Sequence, residues 1–207
     1  MRKNMIYAML LILVSGLAAA LAYPIVKVKL SVSVIHPETR FLPASSEEAL
    51  RRHVHALSVA IGSRSIGEYA KLQETERYIR SFLDGQEIPY ELQGYEHEGK
   101  RYSNIVVTLE GVSRPAETVI VGAHYDTVQG TPGADDNASA VAVLLELCRD
   151  LREYRPGRTM KMIFFVNEEP PSFMTPAMGS YVYATRAKER GENIAGMISL
   201  EMVGYFN

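Results

Sequence analysis

Between Thr118 and Leu151 the chain passes from a short apolar run straight into three polar residues, and this transition limits the possible folds more than any other stretch. Thr118–Ala123 (TVIVGA) is bounded by charge and reads as a buried central strand. His124, Tyr125 and Asp126 follow at once, where a parallel strand delivers side chains to the crevice at the carboxyl edge of its sheet. A Gly/Pro turn over Gly130–Gly133 leads to Asp135, Asp136 and Asn137, so that Asp136 is expected to begin the next helix. Val141, Leu144, Leu145, Cys148 and Leu151 then recur as the sheet-facing stripe of that helix. Strand, polar crevice and helix predict an α/β fold with a doubly wound sheet.

Two more apolar runs deliver acids. Met160–Val166 ends in Glu168 and Glu169, and Ile194–Val203 contains Glu201. Carboxylates are rarely placed within apolar runs unless they are paired or ligating. An imidazole with several carboxylates suits zinc, or failing that cobalt or manganese, and the absence of thiolates argues against iron–sulfur clusters and zinc fingers. The negative charge exceeds what one divalent ion needs, which points to two ions about 3.5–4 Å apart sharing a carboxylate. Adjacent Glu168 and Glu169 face different ways at a strand end, so one can ligate while the other handles a proton. Asp126, two residues beyond His124, is placed to hydrogen-bond its ring and set the tautomer. No Ser or Cys occupies a nucleophile-elbow pattern, and there is no P-loop or Rossmann glycine signature.

The remaining segments support this centre. Ser45 or Ser46 is a helix cap ahead of Leu50, Val54, Leu57 and Ile61 at helical spacing. His53 and His55, two apart on that helix, make a poor chelating pair and read as structural or surface residues. Gly62–Gly67 (GSRSIG) breaks the helix; Arg64 within it either forms a structural salt bridge or meets a substrate carboxylate. A second helix is expected over Glu68–Leu83, strands over Ile88–Tyr95 and Asn104–Leu109 with His97 in their turn, and a last helix over Ala177–Arg190. Loop position makes Phe173, Met174 and Tyr181–Tyr183 contributors to a substrate pocket. The single Cys148 excludes an intrachain disulfide and belongs to the core.

At the amino terminus Arg2 and Lys3 precede the apolar run Met5–Ala22, which ends in Ala20-Leu21-Ala22. These are the parts of a secretory signal peptide, and the run is also long enough to remain as a membrane anchor. Residues 1–22 are therefore leader or anchor, 23–44 an extended linker and 45–207 the folded domain, exported from the cytoplasm. A net charge of −2, with Lys and Arg dispersed, gives no footprint for nucleic acid.

GAHYDT, GADDNASA, FFVNEE and ISLEMVGY together resemble, in order, the four metal motifs of the M28 family of zinc aminopeptidases. The resemblance runs from about Glu47 to the end, with Glu201 standing where many members carry Asp. It implies a zinc-aminopeptidase-like (phosphorylase/hydrolase-like) three-layer sandwich around a mostly parallel mixed sheet, incomplete at the C-terminus. It also implies two Zn2+ ions held by His124, Asp136, Glu169 and Glu201, with Asp136 bridging, Glu168 as general base and Asp126 orienting His124. The implied activity is hydrolysis of peptide amides, with removal of N-terminal residues ahead of carboxypeptidase action. A glutaminyl cyclase-like enzyme with one zinc and an inactive membrane-tethered binding domain are the alternatives. The family's last ligating histidine has no counterpart before Asn207. The readings are a fragment, a ligand from another chain, or a one-ion site, and a sheet face left thinly covered is expected at this end.

Overall fold

Period-two alternation builds a five-stranded sheet in the order β1-β2-β4-β3-β5. The computed structural model describes residues 47–205. The expected leader or anchor, the linker and the Ser45/Ser46 cap lie outside the described residues. The strands are β1 (Glu91–His97), β2 (Lys100–Leu109), β3 (Arg114–His124), β4 (Arg158–Phe165) and β5 (Asn193–Ser199). β1 pairs β2, and β2 pairs β4, in antiparallel fashion, whereas β3 runs parallel to both β4 and β5. The β1–β2 hairpin closes through Glu98 and Gly99, both at positive φ, which suits the twist of the flanking strands.

Four helices complete the layers. α1 (Glu47–His55) continues through a π-helical turn to Ile61, and α2 (Tyr69–Gly85) follows a short 3-10 turn. α3 is Ala140–Leu151 and α4 is Gly179–Glu189. Alternation in β4 sends Met162 and Phe164 to one face, where they pack with Leu57, Leu72, Ile79, Leu144 and Leu145 from α1 to α3. Ile163 and Phe165 turn the other way, onto Tyr183 and Ala187 of α4. Helices therefore cover both faces of a mixed sheet, as a three-layer α/β fold requires. Each fully buried leucine at these contacts contributes roughly 2–3 kcal/mol relative to exposure. Cys148 lies within the larger core, and its thiol is held well above its usual pKa by burial.

The α1–α3 layer has a polar tie. His53 is buried, with Nδ1 2.7 Å from the Tyr78 hydroxyl and Nε2 2.9 Å from Glu146, which in turn meets Arg149 at 2.6 Å. His53 is thus a satisfied structural residue; His55 is exposed, and His97 ends β1 rather than lying in the turn. Other expected boundaries shift. β1 starts at Glu91 because Pro89 withholds a ladder donor, and β3 reaches back to Arg114. β5 ends at Ser199, so Glu201 stands beyond the strand and not inside it. All seven β5 residues are exposed, including Met197 and Ile198, which matches the thinly covered sheet face. No helix among the described residues is long and apolar enough to cross a membrane.

Gly179 lets α4 start hard against the sheet. Its N–H donates to the Val166 carbonyl at 2.8 Å, and its own carbonyl accepts from Asn104 Nδ2 at 2.8 Å. A Cβ there would fall inside contact distance of both Asn104 Oδ1 and the Val166 carbonyl. Gly179→Ala should therefore destabilise the fold by about 1–3 kcal/mol through overpacking. Gly157→Ala, with nothing within 4 Å of its new methyl, should stay within about 0.5 kcal/mol of wild type, and urea titration of both variants checks the contrast.

Candidate metal centre

Three neighbouring parallel strands end at one place. His124 closes β3 opposite Phe165, the last residue of β4, and the Tyr125 N–H donates to the Phe165 carbonyl at 2.9 Å. Glu168 and Glu169 follow β4, while the Leu200 N–H donates to Gly122 at 2.8 Å and brings the segment after β5 alongside. Parallel pairing is what aligns these carboxyl ends, where an open α/β sheet forms its crevice.

The ring of His124 is buried and faced by acids. Nε2 lies 3.1 Å from Asp136 Oδ1, 3.3 Å from Glu201 Oε1 and 4.0 Å from Glu168 Oε2. Donor atoms of His124, Asp136 and Glu169 lie within 4.8 Å of one another. Glu201 joins through its contact with the imidazole. All four residues expected as ligands are thus gathered, and Glu168 stands at their margin.

Asp136 differs from expectation in one respect. It does not begin a helix, because its φ of −100° and ψ of 94° are non-helical; α3 starts at Ala140. The intervening turn instead presents its carboxylate to His124. Gly133 opens that turn at φ 53°, and a Cβ there would collide with the Asp136 carbonyl and with Thr127.

Asp126 does more than face the histidine. Its Oδ1 sits 3.5 Å from His124 Nδ1, a loose contact, and its two oxygens accept the N–H groups of Glu168 and Glu169 at 3.0 Å each. One buried carboxylate therefore fixes the acidic turn after β4 against the end of β3.

Arg64 is fully buried and forms no salt bridge among the described residues. Its guanidinium donates to the carbonyls of Leu57, Gly62, Tyr125, Pro132 and Gly133. These carbonyls belong to the end of the first helical segment and to both loops that carry His124 and Asp136. Burial lowers its pKa to about 10, against the pull of Asp126 and Asp136, so it stays cationic at neutral pH. The proposed pocket residues divide. Phe173, Met174 and Tyr181 are exposed, whereas Tyr183 is buried against Phe165 and belongs to the core.

The electrostatics call for a cation. Burial alone would depress the His124 pKa, yet Asp126, Asp136 and Glu201 raise it to about 12. Burial and the neighbouring Asp136 charge push Glu169 up to about 7, and burial followed by nearby acids also raises Glu168. Asp136 is held below its usual value by contact with His124. Asp136 Oδ1 and His124 Nδ1 are buried, and their nearest approaches, 3.1 Å to His124 Nε2 and 3.5 Å to Asp126 Oδ1, are charge contacts without hydrogen-bond geometry. An imidazole and three carboxylates form a donor set of the kind that zinc accepts.

The sequence profile of peptidase family M28 matches residues 104–207. The chain belongs to peptidase family M28. Among relatives, the Escherichia coli protein YfbL is 35% identical over 171 residues, covering 79% of this chain and 51% of YfbL. Leucine aminopeptidase 1 of Arthroderma gypseum is 26% identical over 208 residues, covering 92% of this chain and 54% of that protein. The chain thus spans about half the length of these curated relatives. In three dimensions it is similar to BSAP, a zinc aminopeptidase from Bacillus subtilis, with TM-score 0.68 and 15% identity over 79% of this chain and 70% of BSAP. It is also similar to the Bacteroides thetaiotaomicron glutaminyl cyclase, with TM-score 0.63 and 22% identity over 78% and 63%. These likenesses establish the zinc-aminopeptidase fold.

Sequence reading did not single out Asn104, Asn137 or Asn167, each fully buried around this M28 site. Asn137 had one available signal, a polar triplet directly before an apolar helix. The structure assigns Arg64 a stabilising load that can be measured. Arg64→Lys leaves several buried carbonyls without donors and should lower stability by about 3 kcal/mol. Urea unfolding of zinc-free protein checks this, and a loss under about 0.5 kcal/mol would show that the carbonyls find other donors.

Proposed function

We propose that the M28 chain carries the site of a zinc-dependent peptidase that removes residues from the amino terminus of peptides. The observation that supports this is the gathering of His124, Glu169 and Glu201 from adjoining strand ends with Asp136 from the turn before α3, and with Glu168 beside them. The leucine aminopeptidase relative supports the choice of substrate end.

In this reading His124, Asp136, Glu169 and Glu201 would hold two Zn2+ ions. Bound zinc supplies Lewis acidity at the scissile carbonyl and a lowered pKa for water. Glu168 serves as general base, taking a proton from the attacking water as the new C–O bond forms. It returns that proton to the amine nitrogen as the C–N bond breaks. Burial raises its pKa above the usual carboxylate value, which favours proton uptake. Asp126, by holding both N–H groups of the acidic turn, keeps Glu168 and Glu169 pointing at different tasks. Carboxylates at the crevice would also receive the free α-ammonium of the substrate.

Elemental analysis of dialysed, folded protein should find about two zinc ions per chain, and fewer than about 0.2 would overturn the metal reading in favour of an inert binding domain. About one ion, with cyclisation of an N-terminal glutamine peptide, would replace the peptidase by a cyclase. Glu168→Gln should leave zinc content unchanged and reduce kcat by about 10²–10⁴ on an amino-terminal amide substrate. Glu169→Gln should lose or weaken one ion, because a neutral amide is a poor substitute for a ligating carboxylate. The opposite pattern would exchange the two roles.

We also propose export, supported by Arg2, Lys3 and the apolar run Met5–Ala22. Fractionation with amino-terminal sequencing should find either a chain starting at Tyr23 or an intact membrane-bound form. A cytoplasmic soluble chain starting at Met1 would contradict it.

A further inference from the structure

The turn that carries Glu201 has little packing to hold it. β5 is exposed along its whole length, and Glu201 to Tyr205 are exposed as well. A carboxylate on such a turn would sample many positions, yet Glu201 sits 3.3 Å from His124 Nε2. Beyond the pairing of β5 with β3 and the Leu200 N–H to Gly122 bond, hydrogen bonds from one short segment hold it. Asn137, fully buried, donates from Nδ2 to the Leu200 carbonyl at 3.0 Å and accepts the Met202 N–H on Oδ1 at 3.2 Å. The same Nδ2 lies 3.4 Å from Glu201 Oε2. Two residues earlier, Asp135 Oδ1 accepts the Gly204 N–H at 2.9 Å and the Ser139 hydroxyl at 3.1 Å.

The Asn137 amide thus grips the backbone on both sides of Glu201, as a neighbouring strand would. It does so from the residue adjacent to Asp136, the other carboxylate on the same imidazole nitrogen. We infer that Asn137 is a positioning residue for metal binding: it locks the Glu201 turn to the Asp136 turn, so that both carboxylates present to His124 as one unit. This rests on the zinc reading above. Either carboxylate could otherwise drift with its own loop, since along the chain α3, β4, α4 and β5 separate them.

A side chain that merely staples β5 to the fold would contribute to stability and leave zinc affinity alone, so the two must be measured apart. The test uses the whole chain, zinc competition against a chelating dye, and thermal melting in zinc-free buffer. Asn137→Asp keeps the acceptor for Met202 but sets an oxygen against the Leu200 carbonyl and the Glu201 carboxylate. It should weaken zinc binding by about 10–100-fold, the scale for groups that orient ligands, beyond whatever the buried charge takes from the zinc-free melt. Asn137→Ser, which removes both contacts without adding charge, should show the same ranking and serves if the aspartate variant does not fold. In a Glu201→Ala background the Asn137 substitution should have no further effect on zinc affinity, because the ligand it places is gone. A lowered zinc-free melt with unaltered zinc affinity, or losses that simply add in the double variant, would overturn the inference. Wild-type protein that folds but binds no zinc would overturn the metal reading itself, which is distinguishable from tight wild-type binding unaffected by Asn137.

Discussion

Carboxylates that share one imidazole at 3–4 Å repel one another, and a chain that gathers them must supply compensating contacts before any ion arrives. Burial, with the neighbouring acids, raises the pKa values of Glu168 and Glu169, while contact with His124 lowers that of Asp136. The protein meets the repulsion with fixed donors more than with counter-charges. Asp126 is neutralised in part by two backbone N–H groups, Asp135 by the Gly204 N–H, and the Glu201 turn is held by an uncharged amide. Arg64 is the one buried guanidinium among the described residues near these acids, and it spends its donors on carbonyls.

That choice explains the layout of the loops. Five carbonyls converging on one side chain oblige the break after α1, the end of β3 and the turn before Asp136 to move together. Parallel pairing of β3 with β4 and β5 then sets the ends of three strands level. Rigidity is needed because metal geometry tolerates little error, and loops gain it here from side chain to backbone bonds and not from apolar packing. The cores on either face of the sheet lie behind the site and determine where the strands end, while the donors determine where the acids point.

The two helical layers differ in weight. The α1–α3 face holds the larger core and the His53–Glu146 tie, whereas α4 covers the opposite face through Tyr183 and Ala187 near β4 and leaves β5 bare. Asn193–Ser199 is an exposed edge strand without charged residues. The site therefore stands at a boundary between a well-packed half and an open one, and Glu201 belongs to the open side.

The sequence by itself determined the α/β class, the order of the four motifs and the identity of the gathered acids. His124, Glu168 and Glu169 are legible because each lies within three residues of the end of an apolar run, and a strand's carboxyl end is a local property of the chain. The tertiary structure alone decided that Glu201 leaves the strand, that Asp136 lies outside the helix, that Tyr183 is core and that Arg64 binds carbonyls. It also decided that Asn137 reaches the Glu201 turn. Those contacts join residues more than 60 positions apart through single hydrogen bonds, and a hydrogen bond leaves no periodic trace in sequence as burial does. Polar residues in short loops can turn toward solvent, their own backbone or a distant strand, and only the packed strands around them select among these partners.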